Sequence, residues 1–380
     1  MSKPRVLITG AAGFIGCRLC EVLMLTGAFE PRAFLRSTGS AARLARFPVD
    51  MVIGDLCDAQ RVQEAVRGCD AAVHLAWGSE NVMTRGLENV LRAARKEGVR
   101  RFVHMSSVAI FGNNPPPESR FETAPLRPTD LVYGNQKLNQ ELRVRHYGKK
   151  HGLPFVILRP PNVYGPFSPF TAGVIKKIRA GKLAIVDGGN NPCNLVYVDN
   201  LIQAVLLALW KPEVVGETFF ITDGTGPTWR QCLEDHGQWV GMEVPHISRA
   251  ELTVRPRVRI IRDSLRATPR VLLSSETRTA LRRIPLVSSM EKLAGRWFER
   301  LSPQRQEAIR GRFSSPRVVS KMGDGRPHFD GEDNVLAAQA RTVAHSIDKA
   351  KQQLGYTVPF SYREGMKLTE AWLRYARLLP

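Results

Sequence analysis

The sequence predicts an α/β fold with a doubly wound parallel sheet, because two periodicities alternate along its first 160 residues. Short β-branched runs alternate with segments whose apolar residues recur at helical spacing, as in strands joined by crossover helices. The predicted strands are Arg5–Thr9, Arg32–Leu35, Met51–Ile53, Ala71–Leu75, Arg101–Met105 and Phe155–Leu158. The predicted helices are Phe14–Leu25, Gln60–Arg67, Gly86–Lys96 and Tyr133–Tyr147.

Beyond Gly165 the alternation is looser, and fewer elements are predicted. They are the helices Phe170–Ala180, Val198–Leu209, Ile347–Leu354 and Tyr362–Arg377 and the strand Thr218–Ile221. Ligands of doubly wound sheets bind beyond the carboxyl ends of the strands, so we expect the functional residues there.

Residues 245–330 differ in composition from the rest of the chain. Between Arg249 and Lys321 there are 18 Lys or Arg residues and 6 Asp or Glu residues. Apolar residues within Met290–Leu301 recur at helical spacing among basic ones, which indicates a helix packed on the protein with a solvated basic face. A lid or phosphate clamp over a substrate, or a surface for anionic membranes, stays open. No nucleic-acid-binding motif accompanies the segment, and we expect no nucleic-acid partner.

Composition limits the class of protein. The chain has 380 residues, a formal net charge of +20 and six cysteines, too few for a disulfide scaffold of this size. Cys17 and Cys20 have no second pair at zinc spacing, so we expect them to pack in a helix and expect no metal site. The longest apolar run, Leu201–Trp210, has about half the length of a membrane span. A predicted strand begins at Arg5, so we expect no signal peptide and a cytoplasmic location.

The loop Gly10–Gly16 follows the first predicted strand and opens the first predicted helix. Glycines at positions 10, 13 and 16 let the backbone turn sharply and approach a pyrophosphate, which the helix N-terminus then binds. This placement predicts a nucleotide cofactor.

The residue at the end of the second predicted strand is Arg36, where an acidic residue usually binds the ribose of NAD. Arg36 suits a 2′-phosphate instead, so NADP(H) is favoured. NAD(H) stays open, because a solvated arginine at this position would tolerate it.

Tyr133 and Lys137 are four residues apart on one predicted helix and share a face. An ammonium beside a phenol favours the phenolate, so we expect Lys137 to lower the pKa of Tyr133. Tyr133 would then move a proton to or from a substrate oxygen while hydride moves at the carbon.

Several short motifs together resemble the extended short-chain dehydrogenases/reductases, in their epimerase/dehydratase and 3β-hydroxysteroid-dehydrogenase-like branch. The matching segments are Thr9–Gly16, Gly54–Leu56, His74–Ala76, Met105–Gly112, Tyr133–Lys137, Arg159–Pro166, Val196–Leu201, Leu354–Tyr356 and Glu364–Met366. The resemblance implies a Rossmann domain that binds NAD(P) at residues 1–165. It implies a smaller, mainly substrate-binding domain at 166–380, from which 198–241 returns to the Rossmann domain. It also implies a homodimer.

The resemblance further implies roles for individual residues. Asp55 would contact the adenine, and Ser107 would bind the substrate oxygen. Lys137 would also hold the nicotinamide ribose, and Asn162 would face the substrate. The full set of implied cofactor contacts is Gly10, Gly13, Phe14, Ile15, Gly16, Arg36, Asp55, Leu56, Leu75, Ala76, Tyr133, Lys137, Pro160 and Val163.

Three positions depart from relatives. The loop after Ala76 is short, and Met83 stands about where many relatives have asparagine. Cys193 takes the place of an arginine that commonly pairs with the pyrophosphate of nucleotide sugars, which weakens the case for such a substrate.

The function predicted is therefore an NAD(P)-dependent oxidoreductase that acts on a small molecule at a secondary alcohol or ketone. Its catalytic residues would be Ser107, Tyr133 and Lys137. Two alternatives stay open: a nucleotide-sugar epimerase or dehydratase with tightly bound NAD, and a non-catalytic cofactor-sensing or scaffold protein.

Overall fold

A computed structural model describes residues 3–252 and 334–379. Most of the basic segment 245–330, including the predicted helix in Met290–Leu301, lies outside the described residues. Residues 3–251 and 334–379 form one compact unit, and the predicted domain boundary at residue 165 stays a prediction. Across these ranges no helix combines the length and hydrophobicity needed to cross a bilayer.

Eleven strands occur among the described residues. They are β1 (Arg5–Thr9), β2 (Glu30–Leu35), β3 (Asp50–Ile53), β4 (Ala71–His74), β5 (Arg101–Met105), β6 (Phe155–Arg159), β7 (Asn162–Tyr164), β8 (Ile185–Val186), β9 (Leu195–Tyr197), β10 (Thr218–Phe220) and β11 (His246–Ile247). Seven of them form one parallel sheet in the order β10-β6-β5-β4-β1-β2-β3. The remaining four form two parallel pairs, β7 with β9 and β8 with β11.

Nine α-helices occur in the same ranges. They are α1 (Phe14–Thr26), α2 (Ala59–Val66), α3 (Leu87–Lys96), α4 (Val132–His151), α5 (Pro169–Arg179), α6 (Val198–Trp210), α7 (Trp229–Val240), α8 (Asn334–Ala338) and α9 (Tyr362–Tyr375). π-Helical turns at Val82–Gly86 and Ala350–Leu354 precede α3 and the C-terminal segment. Short 3-10 turns lie at Thr38–Ala41, Val108–Phe111, Pro117–Arg120, Asp187–Gly189, Pro212–Val214 and Arg249–Glu251.

The predicted α/β class with its parallel sheet is confirmed. The chain leaves β3 at one edge and returns to β4 beside β1, so strand order reverses between β1 and β4. Because every pairing in the sheet is parallel, the carboxyl ends of β1, β4, β5 and β6 meet at one edge. The three strands β4, β5 and β6 are buried along their whole lengths, as expected for strands covered on both faces.

The sequence patterns missed helices α7 and α8 and the four short strands outside the main sheet. A signal for α7 was present at Thr228, whose hydroxyl accepts a hydrogen bond from the backbone of Gln231 and caps the helix. Strands of two or three residues carry too little periodicity to be recognised from sequence.

Helix α4 is fixed to the sheet by a buried ion pair. Glu141 of α4 and Arg159 of β6 are both fully buried, and two hydrogen bonds of 2.6 and 3.0 Å join them. Arg145, one turn further along α4, also donates to Glu141. The guanidinium of Arg159 lies 5.6 Å from the ring of Phe111 and 5.5 Å from the ring of Phe220.

This ion pair orients one face of α4. Tyr133, Lys137, Glu141 and Arg145 follow one another at four-residue spacing and therefore lie on one side of the helix. Burial alone would raise the pKa of Glu141, but Arg159 and Arg145 bring that pKa below its usual value. The carboxylate thus stays ionised and holds the helix with its catalytic face toward the sheet.

Asn200 of α6 ties the C-terminal segment to this framework. Its side chain donates to the carbonyl of Phe360 over 2.7 Å and accepts from the backbone nitrogen of Phe360 over 3.0 Å. It also donates to Asp223 over 2.7 Å. These bonds fix where the chain enters α9, whose N-terminus has a capping box of Ser361 and Glu364.

We predict that Arg159→Met destabilises the protein by about 3–5 kcal/mol, because the substitution leaves the Glu141 carboxylate buried without its main partner. The free energy of unfolding is measured by urea denaturation. The matched control is Arg92→Met, which removes an exposed partner of Glu88 at the same kind of ion pair and should cost less than about 0.5 kcal/mol. Equal effects of the two variants would contradict the assigned role of Arg159.

Candidate active site

The glycine loop between β1 and α1 is shaped for close approach to a ligand. Gly10 has a φ of 72°, and a Cβ there would lie 2.9 Å from the backbone nitrogen of Ala76. A Cβ at Gly16 would overlap the carbonyl oxygen of Gly10. Gly13 precedes α1 without a side-chain cap, and the first turn from Phe14 has no acidic residue. The first N–H groups of α1 are therefore suited to an anion.

Side chains at Gly10 and Gly16 would collide with the protein's own backbone. Glycine at both positions therefore lets the loop bring the free N–H groups of α1 to the end of β1, an arrangement that fits the pyrophosphate of a dinucleotide. Phe14 and Ile15 form the first turn of α1 and are half-buried.

The predicted adenosine contacts lie after β2 and β3. Arg36, the first residue beyond β2, is exposed and makes no hydrogen bond or ion pair with the residues that the structure describes. Asp55 is exposed after β3, and its carboxylate accepts from the backbone of Cys57 over 2.8 Å. Leu56 is buried, and its carbonyl accepts from Asn89. Arg36 is thus a cation that a bound phosphate could neutralise.

The predicted nicotinamide contacts surround the ends of β4 and β6. Leu75 is half-buried, and its nitrogen donates to Thr9 over 3.2 Å. Ala76 packs against the glycine loop. The carbonyl of Pro160 accepts from the Ser107 hydroxyl over 3.4 Å. Val163 lies in β7.

Ser107 and Tyr133 line the same cavity, and the Ser107 side chain is near enough to the phenol to influence its pKa. Ser107 follows β5, is 8% exposed, and also accepts from the backbone nitrogen of Ala109 over 3.1 Å. Tyr133 lies in the first turn of α4 and is 37% exposed. The edge of the Trp77 ring faces Tyr133, with the ring centroids 6.2 Å apart. The two hydroxyl groups can therefore contact one substrate oxygen together.

The expectation that the pKa of Tyr133 is lowered is wrong for this structure. Desolvation by the surrounding protein raises the pKa of the phenol, and the nearby Ser107 side chain lowers it by less. The ammonium of Lys137 instead donates to the carbonyl of Met105 over 3.0 Å and to the side chain of Gln140 over 3.3 Å. The sequence showed the spacing of Tyr133 and Lys137 but not their burial.

Lys137 lies in an unusually apolar environment for a lysine. It is 3% exposed, and burial lowers its pKa to about 8. Behind it, His74 and His104 are fully buried with their ring centroids 5.8 Å apart. Burial lowers the pKa of His74 to about 3 and that of His104 well below its usual value, so both rings are neutral at pH 7.

A cavity of about 430 Å³ opens beside Ser107 and Tyr133. Its volume is within the usual range for small-molecule sites. The structure thus brings Ser107, Tyr133, Asn162 and Val163 to the wall of one cavity, whereas Lys137 lies behind it. The other lining residues are Trp77, Val108, Ala109, Gly112, Pro115, Leu131, Pro161, Pro192, Asn194, Trp229, Asn334, Ala338, Arg341, Val343 and His345.

Sequence reasoning missed several residues of this wall. Trp77 directly follows the His74–Ala76 motif and could have been suspected from that position. Arg341 and His345 belong to no motif, since they approach the cavity only through the packing of the C-terminal segment. Cys193 is fully buried, whereas its neighbours Pro192 and Asn194 line the cavity.

A doubly wound parallel sheet, a glycine cradle after β1 and a Tyr-x-x-x-Lys helix define a nicotinamide-dependent enzyme of the extended short-chain dehydrogenase/reductase type. The chain belongs to the NAD-dependent epimerase/dehydratase family, whose model matches residues 6–221, more than half of the sequence.

Curated relatives extend this match. An uncharacterized protein, y4nL, of Sinorhizobium fredii is 28% identical over 98% of this chain and 96% of its own length. A 2-alkyl-3-oxoalkanoate reductase of Stenotrophomonas maltophilia is 30% identical over 65% of this chain and 78% of its own length.

Solved structures share the fold. DesIV, a dTDP-glucose 4,6-dehydratase of Streptomyces venezuelae determined with NAD bound, superposes with a TM-score of 0.65. It is 21% identical, and the match covers 98% of each chain. At this identity the similarity supports the Rossmann-like fold alone.

We predict that Gly16→Ala weakens NADH and NADPH binding at least about tenfold, equivalent to about 1.4 kcal/mol, because the new methyl group would displace the backbone of the glycine loop. The change in affinity is measured by isothermal titration, with circular dichroism to check folding. The control is Gly173→Ala in α5, where a Cβ meets nothing within 4 Å. Unchanged affinity in a folded Gly16→Ala protein would contradict the cradle.

Proposed function

We propose that the protein is an NAD(P)-dependent oxidoreductase that transfers hydride at a secondary alcohol or ketone of a small molecule. The observation that carries this proposal is that Ser107 and Tyr133 line the wall of one ligand-sized cavity. A bound nicotinamide supplies or accepts the hydride. The glycine cradle, with Leu75, Ala76, Pro160 and Val163, would hold that cofactor beside the cavity.

The side chains of the site would bind the reacting oxygen, transfer its proton and position the cofactor. Ser107 and Tyr133 hold the reacting oxygen, and Tyr133 gives it a proton in the direction of reduction. The phenol of Tyr133 is protonated at neutral pH and can supply this proton, while its raised pKa makes it a weaker acid than a free tyrosine. Lys137 would hold the nicotinamide ribose. Asn162 would face the substrate, and Trp77 lies beside Tyr133 with their ring centroids 6.2 Å apart.

NADP(H) is the cofactor that we favour over NAD(H). Arg36, the residue after β2, is a cation without a partner among the described residues. An acidic side chain that would bind a ribose 2′-hydroxyl is therefore absent from this position. Arg46, nearby in sequence, is already paired with Glu21 over 3.0 Å, so Arg36 is the arginine best placed for a 2′-phosphate.

The name of the Stenotrophomonas maltophilia relative supports a ketone-reducing activity, since it is a 2-alkyl-3-oxoalkanoate reductase. A nucleotide-sugar epimerase or dehydratase is the second candidate, which the match to the NAD-dependent epimerase/dehydratase family favours. Cofactor exchange separates the two, because an epimerase or dehydratase restores its NAD within each cycle and a reductase releases an oxidised cofactor. A cofactor-sensing scaffold would bind the cofactor and consume none.

A homodimer and a cytoplasmic location are further proposals. The outer faces of α3 and α4 form a shallow groove that Leu91 and Leu142 line, and Leu142 is 46% exposed. Burying this apolar side chain against a second copy would stabilise such a dimer.

We predict that Tyr133→Phe lowers the rate of hydride transfer by about 10²–10⁴-fold, because the variant keeps the ring but loses the acid. Turnover is followed as NADPH consumption with a panel of ketones, and cofactor affinity by isothermal titration. Affinity for NADPH should stay within about twofold of wild type, a change of less than about 0.5 kcal/mol. Undiminished turnover would rule out Tyr133 as the acid.

We also predict that Arg36→Asp shifts preference from NADPH toward NADH, because a carboxylate repels the 2′-phosphate and accepts from the ribose hydroxyl. The ratio of the two dissociation constants is measured by titration. Arg67→Asp, at the end of α2, controls for the change in net charge. If Arg36→Asp left the ratio at its wild-type value, the argument for NADP(H) would fail.

A further inference from the structure

Arg341 brings a positive charge to the wall of the catalytic cavity. It follows α8, and its backbone nitrogen donates to the carbonyl of Ala338 over 3.1 Å. It lines the same cavity of about 430 Å³ as Ser107 and Tyr133. Among the described residues that line this cavity, none is acidic, and Arg341 is the one with a permanent charge. His345 is neutral at pH 7, since burial lowers its pKa to about 4.

The guanidinium of Arg341 is only partly satisfied by the protein. One terminal nitrogen donates to the side-chain oxygen of Asn113 over 2.8 Å, which is a neutral acceptor. Its Nε is buried and has no hydrogen-bond partner. No carboxylate lies within ion-pair distance of Arg341 in the described parts of the chain. Burial lowers the pKa of Arg341, and the carboxylate of Asp130 raises it by less through its charge, but that carboxylate accepts its hydrogen bonds from the backbone and the side chain of Asn113, over 3.2 and 3.0 Å.

An arginine in this state is suited to an anionic ligand. A partly buried charge without a counter-ion costs free energy, which a bound oxyanion would offset. The planar guanidinium offers parallel N–H groups that match a carboxylate or phosphate. Asn113, held by Asp130, fixes one side of this group.

The rest of the wall indicates what the anion is attached to. Most of the lining is apolar or aromatic, with Trp77 and Trp229 as the largest side chains and Leu131 and Val343 among the aliphatic ones. An apolar body can therefore lie between the catalytic hydroxyls and the arginine.

We propose that the substrate carries an oxyanion, a carboxylate or a phosphate, that binds Arg341 while its carbonyl or alcohol oxygen binds Ser107 and Tyr133. This inference rests on the proposed function for the position of the reacting oxygen. It makes Arg341 a specificity-determining residue that selects anionic substrates over neutral ones of the same shape.

Binding is tested on the full chain saturated with NADP⁺, so that a ketone cannot be reduced during the titration. The first arm uses straight-chain oxo acids of about six to twelve carbons with their methyl esters, sizes that suit a pocket of this volume. The second arm uses uridine diphosphate with uridine. Within each pair the charged group is the main difference. Isothermal titration gives the affinities for wild type, Arg341→Met, Arg341→Lys and Arg120→Met, the last of which removes an exposed arginine outside this cavity.

The proposal predicts that wild type binds at least one anion at least about tenfold more tightly than its neutral partner, a difference of about 1.4 kcal/mol. Arg341→Met should abolish that preference without changing affinity for the neutral partner. Arg341→Lys should restore part of it, and Arg120→Met should leave it unchanged. The arm that shows the preference identifies the group as carboxylate or phosphate.

The proposal is overturned if wild type binds no anion better than its neutral partner, or if Arg341→Met weakens both members of a pair equally. NADPH consumption is recorded separately with the same compounds. Arg341-dependent binding without NADPH consumption would leave this inference standing and remove the proposed reductase. If acids and esters were reduced at equal rates and Arg341→Met had no effect, the proposed reductase would stand and this inference would be overturned.

Discussion

The buried ion pair of Glu141 and Arg159 is the constraint on which the catalytic geometry depends. Helix α4 must present Tyr133 and Lys137 to the carboxyl ends of β5 and β6, and a helix on a sheet can otherwise slide or rotate. Two hydrogen bonds between buried charges allow one register and one rotation. Because Glu141 lies on the same helix face as the catalytic pair, the contact that fixes the helix also fixes the catalytic residues.

Charge is distributed unevenly around the ion pair of Glu141 and Arg159. The charges of Glu141 and Arg159 compensate each other. The region behind the predicted nicotinamide position is weakly charged, because burial lowers the pKa of Lys137 to about 8 and keeps His74 and His104 neutral. A dinucleotide would bring anionic phosphates to the glycine cradle and to Arg36, where the described residues leave positive character uncompensated. The arrangement therefore favours a bound cofactor over the empty protein.

Much of the fold and of the candidate site could be predicted from the sequence, because some functional residues recur at fixed spacings along the chain. The glycines of Gly10–Gly16 and the pair Tyr133 and Lys137 are local patterns, and each structural element that carries them begins within one residue of its predicted start. The raised pKa of Tyr133 could not be predicted, because it depends on burial by distant segments. The same holds for Arg341, which reaches the cavity only once the C-terminal segment has packed near Asn113.

The most direct test of the account is to locate the nicotinamide relative to Tyr133. Trp77 lies against Tyr133, so a reduced nicotinamide bound there should be excited by energy transfer from its indole. We predict that NADPH binds with tryptophan-sensitised emission that Trp77→Phe reduces strongly and that Trp210→Phe, at the far end of α6, barely changes. Absence of NADPH and NADH binding, or emission that survives Trp77→Phe and is lost in Trp210→Phe, would contradict the proposed active site.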